Sequence, residues 1–500
     1  MDHAERVNVL IVGAGISGIG AAIRLKERGF NDFVLLEKAH AIGGTWRDNT
    51  YPGCACDVPS ALYSYSFAPK TSWSRVFARQ PEIEQYVRDT ARRFGVLERV
   101  RFAEPVETAS WDDAANHWVI RTPKRTYHAR FVISCAGYLH EPLMPRLPGL
   151  AEFPGMVFHS SRWKHDHDLQ SRRVAVIGTG ASAIQFVPRI QAKVKSLHVF
   201  QRTPQWILPK PDARIGFLMR TGLAVPGAMK VMREVLYKRL EELGGAFRHP
   251  EHMKRVQAVA LRHLQKQVTD PELRAKLTPN YVLGCKRVLL SNDYYPSLAR
   301  PNVEVLAMGV TEIRGSTVVG TGAARDVDTI ILGTGFHVSD PPIAAHIRGA
   351  QGRTLAEVWA GSPEAYRGTT IAGFPNAFMV LGPNLAIGHN SAFIVIEAQL
   401  DYICDALTTL RREGVTRIEV RRDAQASYNR RVQRDLAGTV WNTGGCSSYY
   451  IDANGKNSIA FPWSTLRMRR ILARFDLENY HATTPRRASV ATNSGVSAHV

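Results

Sequence analysis

The sequence contains no apolar run approaching the ~18 residues that a membrane-spanning helix requires. It opens on a strand-like stretch, without the basic patch, apolar core and cleavage site of a secretory leader. Cysteine is scarce: the six, at 54, 56, 135, 285, 404 and 446, form no disulfide-rich pattern. A reducing, cytoplasmic setting is therefore expected. No cluster of metal-ligand spacing is present, and Cys54-Ala-Cys56 has no histidines nearby to complete a zinc site. These two are expected to be packing cysteines. Acidic residues are the minority, 44 against 64 Lys and Arg, for a net charge of +20. That surplus invites anionic partners, but no nucleic-acid motif with interleaved aromatics accompanies it. A basic solvated surface with phosphate sites explains the charge. Residues 211–260, where Phe217, Leu218 and Val225 alternate with Arg220, Lys230 and Arg233, also fit a helix lying on a membrane. Packing on its own domain is the favoured reading, and the oligomeric state is left open.

What is present is a unit that occurs twice. Val7–Val12 reads as a buried strand, Gly13-Ala-Gly15-Ile-Ser-Gly18 as a turn, and the run to Arg28 as a helix; Phe33–Glu37 follows as a second strand. Arg173–Ile177, Gly178-Thr179-Gly180-Ala181-Ser182-Ala183, a helix and Ser196–Arg202 repeat the plan. Gly13 to Glu37 and Gly178 to Arg202 each span 24 positions. A strand before the turn, a helix after it and an acid about 20 residues on make a glycine motif specific for a dinucleotide. Gly13 permits the tight turn, Gly15 lets backbone approach a pyrophosphate, and Gly18 lets helix and strand pack closely. Glu37 suits free ribose hydroxyls, as in FAD. The second turn tolerates Ala183, and its second strand ends in Arg202, whose guanidinium can fork onto a 2′-phosphate. NADPH is therefore expected there, with Ser182 and Thr203 assisting.

The pattern predicts an α/β protein with two Rossmann-like dinucleotide-binding domains, the second inserted into the first. Residues 1–145 form the first part of the FAD-binding domain. Residues 146–330 form the NADPH-binding domain, with a helical insertion at about 211–280. Residues 331–482 complete the first domain, with a mobile loop at about 441–457, and 483–500 form a disordered tail.

Three further segments carry a family likeness. Gly43-Gly44-Thr45-Trp46 runs on to Tyr51-Pro52-Gly53 and Asp57; Phe153-Pro-Gly155 runs on to His159 and Trp163; and Gly284-Cys-Lys286-Arg287 precedes Asp293. From about residue 7 to 470 the chain resembles the flavin-dependent monooxygenases, and most closely the Baeyer–Villiger monooxygenases. It departs from their pattern at Lys164, where Pro or Asp is usual, and at Tyr449, where many relatives carry tryptophan. Lys164 resembles the related N- and S-oxidising flavin monooxygenases, which remain the alternative enzyme reading. A flavin-binding regulatory protein without turnover is the alternative from another class.

The resemblance implies that NADPH reduces FAD and that reduced flavin and dioxygen give a peroxide. The peroxide attacks a ketone to form an ester or lactone, and sulfides are expected as further substrates. It further implies that Arg287 stabilises negative charge and that Asp57 aims it. FAD would be held by Gly13, Gly15, Gly18, Glu37, Lys38, Gly44, Thr45, Trp46, Asp57 and Val106. NADPH would be held by Gly178, Thr179, Gly180, Ala181, Ser182, Arg202, Thr203 and Tyr449. His159, with Phe153, Gly155 and Trp163, is expected to couple the two sites conformationally and not to act as an acid or base. No resident metal is expected.

Overall fold

The computed structural model describes residues 4–484. The chain begins with β1 (Glu5–Val12) and α1 (Ile16–Glu27), then β2 (Phe33–Glu37), β3 (Val100–Phe102), β4 (Thr108–Asp112), β5 (His117–Arg121) and β6 (Thr126–Ser134). β1 lies between β2 and β6, parallel to both, with Val12 opposite Leu36 and Ser134. β4, β5 and β6 form an antiparallel meander at one side. Every residue of β2 is buried, as expected of a strand covered on both faces. α1 is apolar and buried nearly all round, with Ile19, Ala22, Ile23 and Leu25 each 1% exposed or less.

After Ser134 the chain builds a second sheet. Its strands are β7 (Met156–His159), β8 (Arg173–Ile177), β9 (Ser196–Phe200), β10 (Val303–Leu306) and β11 (Thr329–Leu332). They lie in the order β10-β9-β8-β11-β7, all parallel. Between β8 and β9 runs α2 (Ala183–Ile190). The chain then returns to the first sheet with β12 (Ile347–Arg348), which pairs β4, and β13 (Ala377–Met379), which pairs β6. The first sheet thus takes strands from both sides of the second.

The helical stretch at 211–280 comprises α3 (Phe217–Ala224), α4 (Ala228–Arg248), α5 (Pro250–Gln267) and a shorter helix at Pro271–Leu277. α3 buries only Leu223, and Phe217 and Leu218 stand 81% and 85% exposed. Farther along, Phe247 near the end of α4 is buried and stacks on Trp441. Among the described residues no helix is long and apolar enough to cross a membrane. α6 (Ala392–Arg412) packs on α1. Gly20 is the point of closest approach, since a Cβ there would stand 3.0 Å from both Leu400 and Tyr65. Residue 483, expected to open a disordered tail, instead ends a strand paired with Arg417–Val420, and 485–500 lie outside the described residues.

Candidate active site

Each glycine turn sits where its strand ends. In the first, Gly13 has φ +98° and a Cβ there would stand 2.7 Å from the Cys135 carbonyl oxygen. A Cβ on Gly18 would collide with the Gly13 carbonyl oxygen. Gly15 caps α1 with no side-chain hydrogen bond, and the first turn of the helix has no acid. The leading N–H groups are left for an anion, as a dinucleotide phosphate requires. Gly15 lies beside Gly44, which has φ +54°, so the segment at 43–46 roofs the turn. Glu37 is 4% exposed; it accepts from the Ala14 N–H at 2.9 Å, the Ala39 N–H at 2.9 Å and Arg47 Nη1 at 2.9 Å. A carboxylate has about four acceptor sites, so capacity remains for a ribose. Arg47, which pins Glu37, was not singled out from the sequence, although it lies between the Gly-Gly-x-Trp and Tyr-Pro-Gly motifs.

The neighbouring expected contacts are more dispersed. Thr45 opens the short helix Thr45–Asp48, and Trp46, 7% exposed, donates its indole N–H to the Tyr63 hydroxyl at 3.0 Å. Lys38 reaches Glu141 at 3.0 Å, in the segment leading out of the first sheet. Val106 lies between β3 and β4, part-buried against the core that includes Trp111 and Trp118.

In the second turn Gly178 has φ +105°, and a Cβ would collide with the Gly333 carbonyl oxygen. Gly180 faces open space, with nothing within 4 Å of a Cβ built there. Ala181 is exposed, Ser182 is the helix cap residue of α2 without a side-chain cap bond, and Thr179 Oγ1 donates to the Thr203 carbonyl at 3.5 Å. Arg202 is exposed. Lys286 lies near enough to feel its charge: burial, then repulsion from Arg202, holds Lys286 below its ordinary value. Two neighbouring cations suit a doubly charged phosphate. Lys286 is a residue the sequence reading quoted without assigning it a part; its adjacency to Arg287 was the available signal.

Asp57 and Arg287 are 230 residues apart and meet directly. Arg287 Nε and Nη2 both donate to Asp57 Oδ2, at 3.1 and 2.6 Å. Burial would raise the Asp57 carboxyl, but the Arg287 charge, its hydrogen bond and Lys210 hold it below the usual range. The Asp57 charge, acting against burial, holds Arg287 well above its own. Tyr449 and Tyr450 lie close enough to the guanidinium to affect it, and its side chain is 42% exposed. Tyr449 lies over Tyr450 with ring centroids 4.5 Å apart.

The second unit positions Asp57. Gly53 has φ +85°, and a Cβ there would stand 2.6 Å from the Gln185 carbonyl, so the Tyr-Pro-Gly turn lies flat on α2. The Gln185 side chain accepts from Tyr51 Oη at 3.1 Å and the Ala55 N–H at 3.2 Å, and donates to the Ala55 carbonyl at 3.1 Å. Lys210 Nζ donates to the Cys56 carbonyl at 3.1 Å. Neither residue was found from the sequence, because nothing in their local pattern points at a segment 130 or 154 positions away.

His159 ends β7 at 2% exposure. Its Nδ1 accepts from the Ser161 N–H at 3.1 Å; Nε2 is oriented toward the Gly335 backbone without a well-formed hydrogen bond. Burial pushes the imidazole down to about 4, so it is neutral at pH 7. Trp163 packs edge-on to Phe158 at 5.2 Å and against Phe186 of α2 at 5.3 Å, and Phe186 in turn meets Tyr51. Phe153 is buried in the core of the second sheet, and a Cβ on Gly155 would collide with the Asp328 carbonyl. Lys164 is exposed, so the departure from the family pattern falls at the surface.

Cys54 and Cys56 are buried and unbonded, and burial pushes Cys54 up to about 12 and Cys56 still higher. Thiols so held are poor nucleophiles. The six cysteines form no disulfide-rich pattern, but Cys285 and Cys446 form one disulfide. Two cysteines 161 positions apart carry no spacing signal, and only the fold brings them together. Among the described residues no group of three His, Cys, Asp or Glu could hold a metal ion.

The chain matches the pyridine nucleotide-disulphide oxidoreductase family over residues 10–216. It is 48% identical over 494 residues to a Baeyer–Villiger monooxygenase of Streptomyces coelicolor, covering 98% of this chain and 95% of that one. It is 45% identical over 497 residues to a Baeyer–Villiger monooxygenase of Pseudomonas aeruginosa, covering 98% and 94%. Among solved structures it superposes on an oxidised steroid monooxygenase bound to NADP (TM-score 0.84, 29% identity, 95% and 99% covered). A cyclohexanone monooxygenase from a Rhodococcus, bound to NADP+, gives a TM-score of 0.84 at 28% identity, with 96% and 100% covered.

Proposed function

We propose a function from one premise: the chain belongs to the Baeyer–Villiger monooxygenases. It is a flavin-dependent enzyme that uses NADPH and dioxygen to insert one oxygen atom into a ketone, giving an ester or lactone. The observation that carries the assignment of residues is the Asp57–Arg287 pair, a cation whose orientation is fixed by a carboxylate 230 positions away.

FAD would be held by the roofed turn at Gly13, Gly15 and Gly18, with Glu37 toward the adenosine ribose and Gly44, Thr45 and Trp46 alongside. NADPH would be held by the open turn at Gly178–Ser182, with Arg202, Lys286 and Thr203 toward the 2′-phosphate. When bound, the reduced flavin supplies an activated oxygen derived from O2. Arg287 supplies the matching positive charge. It stays cationic whatever happens nearby, because Asp57 holds its proton and its orientation. Placed beside the reacting carbonyl, it stabilises the negative charge that develops on oxygen; removing such a charge partner costs on the order of 100- to 1000-fold.

Asp57 is a positioning residue. Its two donors from Arg287 fix the plane of the guanidinium, while Gln185 and Lys210 fix the segment that carries it. His159, neutral and buried, packs edge-on to Phe336 at the crossing into the second unit and moves no proton. Tyr449 and Tyr450 stack on one another beside the guanidinium.

Product analysis tests this reading. Cyclic, linear and aromatic ketones and a set of sulfides would be incubated with enzyme, NADPH and 18O2. The expected result is an ester or lactone carrying one labelled oxygen. Sulfoxides without ester from any ketone would shift the assignment to heteroatom oxidation. NADPH consumption with no oxygenated product at all would overturn it.

A further inference from the structure

We propose that Cys285 and Cys446 are a reversible oxidation site that fastens the 441–457 loop to the segment carrying Lys286 and Arg287; the proposal rests on the reading of that segment given above.

The four other cysteines are buried and unbonded. These two alone are joined, and their positions are informative. Cys285 directly precedes Lys286 and Arg287, and Cys446 lies three residues before Tyr449, which stands near Arg287. The surroundings are shaped for the contact. The Val282 N–H donates to the Gly444 carbonyl at 2.9 Å. A Cβ on Gly444 would collide with Cys285 Cβ, so only glycine lets the loop come this close. Trp441 stacks on Phe247 with ring centroids 5.3 Å apart. At its far end the loop is held by Asn454, which donates to the Ala360 carbonyl at 2.9 Å, and by Lys456 on Glu364. Of these ties, only the sulfur–sulfur bond can be made or broken by a change in redox poise.

Access is asymmetric. Cys285 is 1% exposed, whereas Cys446 is only part-buried. Chemistry therefore begins at Cys446. Its thiolate attacks a hydroperoxide, forming an S–O bond as the O–O bond breaks and water or alcohol leaves. The Cys285 thiolate then displaces the sulfenic oxygen, which leaves as water. Two thiols and one hydrogen peroxide give one disulfide and two waters, with two electrons passing from sulfur to oxygen. Return is by thiol–disulfide exchange: an external dithiol attacks the Cys446 sulfur, Cys285 leaves as thiolate, and the dithiol ends as its own disulfide. In the oxidised state the loop cannot leave the Arg287 segment. In the reduced state it is held there by one backbone hydrogen bond and the Trp441 stack, and it opens more often.

The experiment uses full-length, FAD-loaded protein in three states: oxidised with hydrogen peroxide, reduced with dithiothreitol, and the C446S variant. Alkylation of free thiols followed by peptide mapping reads the bond itself. A Cys285–Cys446 cross-linked peptide is expected after oxidation, and two alkylated peptides after reduction. Limited proteolysis reads the loop. Cleavage within 441–457 should be at least fivefold faster in the reduced protein and in C446S under both treatments. NADPH turnover should be at least twofold faster after reduction in the wild type and should not respond in C446S. C446A serves as a second variant should serine perturb the loop. Failure to find the cross-link under oxidation overturns the proposal. A cross-link that forms and breaks without changing proteolysis overturns the tether and leaves a bond with no control over the loop. No NADPH turnover in any state would instead count against the proposed function, because proteolysis reads the tether without it.

Discussion

In the first turn a Cβ on Gly18 would collide with the Gly13 carbonyl, Gly44 covers Gly15, and Glu37 is buried beneath three donors. In the second, a Cβ on Gly180 meets nothing within 4 Å, and Arg202 is exposed. The same 24-residue unit is thus closed in one place and open in the other. A roofed turn with a satisfied carboxylate suits a cofactor that stays; an open turn with free cations suits one that arrives and leaves each cycle. The difference lies less in the motif than in what the rest of the chain lays across it.

Substitutions within each turn should separate the two, and the largest effect belongs to the first. Gly18→Val should yield protein without bound flavin, read by the absence of flavin absorbance, with a sharp fall in soluble yield. Gly180→Ala should keep flavin and raise the KM for NADPH, since the added methyl meets no protein atom within 4 Å but stands where the backbone would approach the pyrophosphate. If both lose flavin alike, the contrast between closed and open turns fails.

Between the turns, Arg287→Ala should keep FAD and lower ester formation by on the order of 100-fold or more, measured as kcat on a reactive ketone. Arg202→Ala should raise the KM for NADPH by roughly 10- to 100-fold, as expected for losing a charge-assisted bond of about 1.5–3 kcal/mol. The KM for NADH should change less than about twofold. Equal losses with both nucleotides would remove the role given to Arg202.

The smallest expected effect is on stability. His159 titrates near 4 when folded and near 6.5 when exposed. Its folded pKa is depressed, so the unfolded chain binds the proton more readily. The stability it permits is present above pH 6.5 and is lost as pH falls toward 4. Denaturant unfolding at pH 5 against pH 7 should show a loss of about 1–2 kcal/mol that shrinks in His159→Asn. A pH dependence identical in wild type and variant would mean that the histidine is not the acid-sensitive group in the second unit.

Much of this architecture was legible in advance because its signals are local. The strand, turn and helix at 7–28 and at 173–190 depend on apolar runs and on glycines that must adopt positive φ or admit a close neighbour, and both appear as read. Gly53 was recognised only as part of a motif; its reason, the need to lie flat against Gln185, is a contact across 132 positions. A still longer separation, 154 positions, hid Lys210; Arg47 reaches Glu37 across only 10 positions and was passed over between two motifs. The Cys285–Cys446 bond was missed because pairing is a property of two points in space, and cysteine counting sees only their separation along the chain.

By itself the sequence determined two dinucleotide turns, their different terminal residues Glu37 and Arg202, and the motifs that place the chain among the flavin monooxygenases. These are written in short windows, where residue type and spacing constrain the backbone directly. The tertiary structure alone decided that Asp57 meets Arg287, that Lys286 lies near Arg202, that one turn is roofed and the other open, and that a disulfide joins the loop to the Arg287 segment. Each depends on how far-separated segments pack on two twisted sheets, and that packing is settled by the sum of many buried contacts across the chain.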